Sequence, residues 1–524
     1  VRDFVKAKQI RGKVFLVGAG SGDPGLLTVK GAKLLAQADV VVYDYLANPR
    51  LLEHCRADVE KIYVGKKAAQ HAMTQTDINA LLVKLGQEGK FVVRLKGGDP
   101  YVFGRGGEEG EALVGAGIYF ETVPGITAAI AAPCYAGIPV THRDFNSSFT
   151  LITGHEKEEE YKDPQAIARG AAAGSSDLDW EAIAKLPCVA FYMGVKALPR
   201  IVEKLIAAGK APNTPAATIQ WGTTPRQKSC DATIATIAQQ VEKTGIGSPA
   251  ITIIGKVVTL RKTLNWFENR PLFGQTIVVT RTRQQASDLS AQLEELGANV
   301  IEAPTIEIRP PKDWSQVDRA LKSASAYDWI IFTSANGVTQ TRRRLRELEL
   351  DIRSFGKAKI ASVGEATKRT IETELALNID LSPESFVAEG LAEAIEKQGE
   401  VKGKKFLLLR ADIARPVLRE KLLQSGAQVD DISVYETHSV DALPEQVMDA
   451  LREKQVNWIT FTSSSTAKNF LTLLGSERGL MDGVKLASIG PVTSKTMKEL
   501  SLMPAVEATE FNIAGLVEAI VSAK

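Results

Sequence analysis

KVFLVGAGSGDPGLLTVKGAKLLAQADVVVYDYL, residues 13–46, reads as a strand, a glycine turn, a helix and a second strand. VFLVG and DVVVYDYL are nearly continuous apolar runs rather than alternating ones, the pattern of strands covered on both faces of a parallel sheet. KFVVRLKGGDP (90–100) repeats the pattern further on, and amphipathic stretches separate the runs. An α/β class follows.

At 524 residues, 44% hydrophobic and 24% charged, the chain is ordinary α/β material. That length is enough for roughly two to four domains. No apolar run approaches the ~20 residues that span a bilayer. The opening Val1-Arg2-Asp3-Phe4 lacks the apolar core of a secretory leader, so a cytoplasmic protein is expected. A net charge of +2 with mixed signs gives no basic stripe for a phosphate backbone, and nucleic acid is not an expected partner. Local Arg and Lys clusters can still hold an acidic small molecule. Cys55, Cys134, Cys188 and Cys230 lie far apart with no CxxC, and the five histidines, His142 and His155 among them, lack metal-ligand spacing. Reduced thiols and no metal are expected.

Residues 156–177 are polar and rich in Ala, Gly and Ser, and read as a connector, so the leading module at 13–262 divides near 145–180. A linker is placed at 263–273 and a second module at 274–524. That second module is internally duplicated: DWIIFTSAN (328–336) recurs as NWITFTSSS (457–465), KIASVG (359–364) as KLASIG (485–490), FVAEGLAEAI (386–395) as FNIAGLVEAI (511–520), and GQTIVVTR (274–281) as GKKFLLLR (403–410). Two similar flavodoxin-like α/β lobes are expected, with a ligand cleft between them. The paired Thr333-Ser334 and Thr462-Ser463 sit at strand ends. They can cap the following helices or help present amides to a carboxylate, and the two roles are compatible.

Two glycine loops stand out in the leading module. Gly18-Ala19-Gly20-Ser21-Gly22-Asp23 has the outline of a dinucleotide loop, but Asp23 would repel a pyrophosphate. RLKGGDPYVFGRGGEE (94–109) is more distinctive: paired glycines allow close backbone approach, Asp99 suits a ribose hydroxyl or an ammonium, and Arg94 and Arg105 flank the loop.

With VGAGSGDPGLLTVKG (17–31), VVYDYL (41–46), VGKK (64–67), VPGITAAIAAPCYAGIPVTHRD (123–144), TGHE (153–156), FYMGV (191–195) and QWGTT (220–224), this second loop closely resembles the uroporphyrinogen III C-methyltransferases, in family order over about 13–260. The resemblance implies a two-domain tetrapyrrole-methylase fold holding S-adenosylmethionine in the interdomain cleft. It places cofactor contacts at Gly97, Gly98, Asp99, Val102, Thr127, Ala128, Met193 and Gly222. Ser21 is a further contact, although the family usually has Pro there. It also implies Asp44 as proton acceptor and Lys66 as proton donor. Capping by Asp44 and a solvated charge for Lys66 remain the alternative readings. Arg105 and Arg143 are candidate clamps for substrate carboxylates, and a homodimer is expected.

Residues 274–524 resemble the uroporphyrinogen III synthases through VVTR, FTSANG, VYET, FTSSS and SIGPVTS. That family builds one lobe from both ends of its chain and the other from the middle. The resemblance implies cyclisation of hydroxymethylbilane with inversion of its last ring, which is chiefly positional catalysis. Tyr435 is the candidate to assist the leaving hydroxyl, or else packs at a strand end. Thr333, Ser334, Thr462, Ser463 and Thr493 are candidates for propionate binding.

The combined expectation is synthesis of uroporphyrinogen III followed by two methyl transfers to precorrin-2, on a route to sirohaem or cobalamin. The short stretch before Lys13 leads us to expect no dehydrogenase and ferrochelatase module ahead of it. A non-catalytic tetrapyrrole-binding or regulatory C-terminal module is the alternative, and an NAD-dependent dehydrogenase at the front is a more distant one.

Overall fold

The computed structural model describes residues 12–65, 73–154, 178–281, 283–383, 388–399, 401–414 and 416–524. The chain divides into two compact units, one of Val1–Gln275 with Leu296–Asn299, the other of Thr276–Glu295 with Val300–Lys524.

The first unit opens with a five-stranded sheet of β1 (Lys13–Gly18), β2 (Val40–Tyr43), β3 (Glu60–Tyr63), β4 (Phe91–Lys96) and β5 (Tyr119–Val123), in the order β3-β2-β4-β1-β5. Every pairing is parallel. The unbroken apolar runs have their cause here. Phe15, Val17, Val41, Val93 and Leu95 enter one core, while Val14, Leu16, Val40, Val42 and Val92 enter another on the opposite face. Helices α1 (Val29–Leu35), α2 (Gln75–Gln87) and α3 (Gly106–Gly115) belong to this domain, and α4 (Ala128–Tyr135) leads out of it.

The second domain of this unit is a mixed sheet of β6 (Thr150–Thr153), β7 (Cys188–Tyr192), β8 (Pro215–Gln220), β9 (Lys228–Thr233) and β10 (Ala250–Gly255), ordered β6-β7-β10-β8-β9. Only β6 and β7 run parallel; the other pairs are antiparallel. The stretch 156–177 lies outside the described residues, but β6 already belongs to this sheet before it begins. Residues 263–273, read from sequence as a linker, include a well-packed segment of this unit. Trp266 donates its indole N–H to the Cys134 carbonyl at 3.1 Å, and Phe267 is buried with its ring 4.8 Å from that of Tyr135. Glu268 accepts from Arg261 at 2.5 Å, from Gln227 at 2.8 Å and from Ser229.

The second unit contains two parallel-rich sheets. One joins β11 (Thr276–Val279) and β12 (Asn299–Glu302) to β18 (Trp458–Phe461), β19 (Lys485–Ser488) and β20 (Val506–Glu507), ordered β12-β11-β18-β19-β20. The other takes the middle of the chain: β13 (Ile306–Arg309), β14 (Trp329–Phe332), β15 (Lys359–Ser362), β16 (Lys405–Ala411) and β17 (Gln428–Ser439), ordered β13-β17-β16-β14-β15. The repeated sequences occupy matching places in the two sheets, β14 with β18 and β15 with β19. The opening strands are exchanged: β11, from the first copy, pairs with β18 of the second, and β16, from the second, pairs with β14 of the first. The two lobes are therefore built across the two sequence copies, one lobe from both ends of the segment and one from its middle.

Candidate active sites

In the first unit, three loops meet at the C-terminal ends of β1, β4 and β5, where ligands of open α/β sheets bind. Gly20 and Gly98 exchange backbone hydrogen bonds of 3.2 and 2.6 Å. A Cβ on Gly18 would lie 2.4 Å from the Gly125 nitrogen, and one on Gly125 would lie 2.1 Å from the Gly98 carbonyl oxygen, so glycine is required for the loops to approach this closely. Gly98 has φ +68°, and a Cβ there would come no nearer than 3.8 Å to the Thr127 Cα and 3.9 Å to the Ala128 nitrogen, at the N-terminus of α4. Asp99 staples the cradle together, with Oδ1 accepting from the Tyr101 N–H at 2.8 Å and Oδ2 from the Gly125 N–H at 3.0 Å.

The mixed-sheet domain supplies the opposite wall. Tyr192, ending β7, hydrogen-bonds Thr127 Oγ1 at 2.5 Å and accepts from the Ala129 N–H at 2.9 Å. Its ring lies 4.9 Å from that of Phe103, and Tyr45 meets Trp221 edge-on at 5.6 Å. Thr223 accepts from the Asp23 N–H at 3.0 Å and pairs with Ser21 at 3.2 Å. Phe103, Arg105, Met193, Trp221 and Thr223 all hold positive φ, between 49° and 70°. Left-handed backbone at non-glycine residues costs about 1–3 kcal/mol each and concentrates where a ligand site over-determines the chain.

Asp44 follows β2 directly. Its Oδ1 accepts from the Leu46 N–H at 3.1 Å and its Oδ2 from Arg94 Nη2 at 3.0 Å, so the carboxylate caps a turn and forms an ion pair at once. In the second unit, Ser334 caps α5 (Ala335–Glu347) by accepting from the Gly337 N–H at 3.1 Å, and Ser463 caps α6 (Ser464–Leu474) by accepting from the Thr466 N–H at 3.3 Å. Tyr435, on β17, packs in a core with Phe332 and Val338, and its hydroxyl lies 3.0 Å from Ser334 Oγ. Burial raises the phenol's pKa, with hydrogen bonds from Ser334 and Asn336 opposing, so it remains protonated near neutrality.

Residues 13–238 match the family of Tetrapyrrole (Corrin/Porphyrin) Methylases, and 287–518 match Uroporphyrinogen-III synthase HemD. A Porphyrin biosynthesis protein HemD of Ruminiclostridium josui is 38% identical over 94% of each chain. A Uroporphyrinogen-III C-methyltransferase of Bacillus subtilis (strain 168) is 44% identical over 71% of this chain and 74% of its own. The chain belongs to both families, joined in one polypeptide. A Siroheme synthase of Azotobacter vinelandii is 49% identical over 50% of this chain and 54% of its own, so the chain spans about half the length of that relative.

In the methylase module, Ser21, Gly97, Gly98, Asp99, Thr127 and Ala128 lie on the three converging loops or on the wall contacts just described. A Cβ on Gly222 would lie 2.3 Å from that of Ala132, and Met193 is 52% exposed. Val102 is half-buried, its N–H donating to the Asp99 carbonyl at 3.4 Å. Lys66 lies outside the described residues. Arg105 forks onto Glu108 through two contacts of 2.8 Å, so a substrate carboxylate would compete with that partner. Arg143 is exposed. Asp23, whose charge argued against a dinucleotide, accepts from the Gly25 N–H at 2.7 Å and from the Tyr135 hydroxyl at 2.6 Å.

In the synthase module, Thr333 and Thr462 are half-buried at their strand ends. Thr493 lies in the first turn of α7 (Pro491–Glu499) and is 4% exposed.

Sequence reasoning passed over Tyr192 and Thr223, although each sits beside a residue it named, and over Glu109. Charge inside the otherwise apolar run of β4 was the available signal for the last. Among the described residues there is no group of three or more His, Cys, Asp or Glu able to hold a metal, and no helix long and apolar enough to cross a membrane.

Proposed function

We propose that the trailing module cyclises hydroxymethylbilane to uroporphyrinogen III with inversion of the last ring, and that the leading module then methylates that product twice, giving precorrin-2. The observation carrying this reading is the chain-long match to a porphyrin biosynthesis protein across both modules, whose reactions are consecutive. The module limits are placed at 13–262 and 274–524. A cytoplasmic homodimer, paired through the methylase module, completes the reading.

The cradle fits an adenosyl ligand. Gly98 leaves space in front of the first amides of α4, Asp99 and the glycines keep the loops fixed, and exposed Met193 offers apolar surface. S-adenosylmethionine, bound there, supplies an electrophilic methyl group. Gly97, Gly98, Asp99, Val102, Thr127, Ala128, Met193 and Gly222, with Ser21 at the rim, orient that ligand. A pyrrole carbon that gains a methyl group carries positive charge until a proton leaves it. The Asp44 carboxylate stabilises that charge and accepts the proton, and Lys66 serves as the proton donor. Arg105 and Arg143 meet the substrate's carboxylates.

In the synthase module the protein's task is to fold the linear tetrapyrrole and ease the departure of its hydroxyl. Tyr435, held protonated and hydrogen-bonded to Ser334, donates to that leaving group. Thr333, Ser334, Thr462, Ser463 and Thr493 bind propionates, helped by the amides of the helices on which they sit or that follow them.

The test is to supply each module's substrate separately under anaerobic conditions. Uroporphyrinogen III with S-adenosylmethionine should yield a product carrying two added methyl groups. Hydroxymethylbilane alone should yield the ring-inverted isomer. Methylation without cyclisation would make the trailing module a binding or regulatory domain.

A further inference from the structure

Strand β4 carries two cations in its buried run FVVRLK. By alternation, Arg94 and Lys96 lie on the same face as Val92, the face covered by Ile78 and Leu82 of α2 and Leu113 of α3. Their side chains are 4% and 5% exposed, and Glu109, from the first turn of α3, is completely buried between them. Glu109 Oε1 accepts from Lys96 Nζ at 2.8 Å, from Arg94 Nε at 3.3 Å and from Gln75 Nε2 at 3.3 Å.

Arg94 uses all three of its nitrogens. Nε meets Glu109, Nη1 donates to the Leu95 carbonyl at 3.1 Å, and Nη2 donates to Asp44 at 3.0 Å. Asp44, one residue beyond the Tyr43 position that pairs with Leu95, is 25% exposed. One end of the guanidinium is therefore locked in the core, and the other holds a carboxylate that solvent reaches.

A cluster of this kind adds little net stability, because desolvation offsets the attraction and a well-packed apolar set of similar volume is often as stable. Burial, followed by the charge of Arg94, pushes the Lys96 ammonium below its usual range against the pull of Glu109. What the cluster supplies is fixed direction. Nη2 is aimed by the two contacts behind it and holds Oδ2 while the Leu46 N–H holds Oδ1, so the Asp44 carboxylate is fixed from both sides. A lysine's single ammonium could not be anchored at the rear and reach Asp44 at once.

We propose that Arg94 is a positioning residue for methyl transfer, anchored by Glu109 and acting through Asp44. The inference rests on the reading of Asp44 as the group that meets the cationic adduct. The proton to be lost from that adduct is strongly acidic, so the base needs placement more than basicity.

The test is a double-mutant cycle in the full-length protein, with Arg94→Lys, Asp44→Asn and the pair assayed on uroporphyrinogen III, and S-adenosylhomocysteine binding used to report an intact cradle. R94K should lower kcat about a hundredfold, the loss expected of a misplaced reacting group. Both KM values and the S-adenosylhomocysteine affinity should stay within about threefold, as for an interaction made only in the transition state. In the D44N background the R94K change should cost nothing further. If R94K does not fold, Glu109→Asp, which shortens the anchor without removing charge, should give the same pattern with a smaller loss. Losses that multiply across the cycle, or that fall on S-adenosylhomocysteine affinity, would overturn the positioning role while leaving Asp44 in place. Full turnover by D44N alone would overturn the reading of Asp44 and this inference with it.

Discussion

The Tyr192 hydroxyl lies 2.5 Å from Thr127 Oγ1 and also accepts the Ala129 N–H, joining the N-terminus of α4 to the end of β7. This places the wall of the mixed-sheet domain against the first amides that the cradle presents. Tyr192→Phe leaves the Ala129 N–H without its partner, a cost of about 1–3 kcal/mol for a buried donor. Thermal unfolding should register that loss, and calorimetry should find weaker S-adenosylhomocysteine binding. Unchanged binding would detach this pair from the ligand site.

Gly125→Ala places a methyl group 2.1 Å from the Gly98 carbonyl oxygen, against backbone that has no room to move. The expected outcome is loss of S-adenosylhomocysteine binding with synthase turnover retained, because the trailing module does not share this contact. Gly107→Ala, where a Cβ meets nothing within 4 Å, is the matched control.

Glu268 gives the first unit a pH-dependent element. Burial pushes its pKa up, but hydrogen bonds from Arg261, Ser229 and Gln227 and the charge of Arg261 outweigh that, leaving it below its ordinary 4.5. The folded-state value is the depressed one, so the contribution is complete above about pH 4.5 and lost as the pH falls through the folded value. Acid unfolding of E268Q, followed beside wild type, should show a shallower decline in that window, with reduced stability at neutral pH.

Tyr435→Phe removes a buried hydroxyl that hydrogen-bonds Ser334 and Asn336. If that hydroxyl serves the leaving group, cyclisation slows by about a hundredfold, the scale of a lost general acid. Methylation of supplied uroporphyrinogen III should remain at wild-type rate. Cyclisation at wild-type rate would leave Tyr435 as a packing residue.

The α/β class and the glycine cradle were legible because each rests on local pattern, namely two-sided apolar strands and turns that admit only glycine. The exchange of opening strands between the synthase lobes was implied by the family resemblance but not legible in the repeat itself. Similarity between β14 and β18, or between β11 and β16, records what each strand is, while pairing depends on partners about 180 residues away for β11 and on a neighbour of the other copy for β16. The burial of Thr493 was not legible for a related reason, since nothing local in SIGPVTS tells how far its side chain is covered. Arg94 was noticed only as a flank of the glycine loop. Its significance depends on Glu109 and Asp44, which reach it from a helix and a neighbouring strand.

The most direct test of the account is one anaerobic reaction of the intact protein with hydroxymethylbilane and S-adenosylmethionine, the product followed by absorbance and mass. The expected product is a ring-inverted tetrapyrrole carrying two added methyl groups. An unmethylated product that stays unmethylated when uroporphyrinogen III is supplied directly would contradict it.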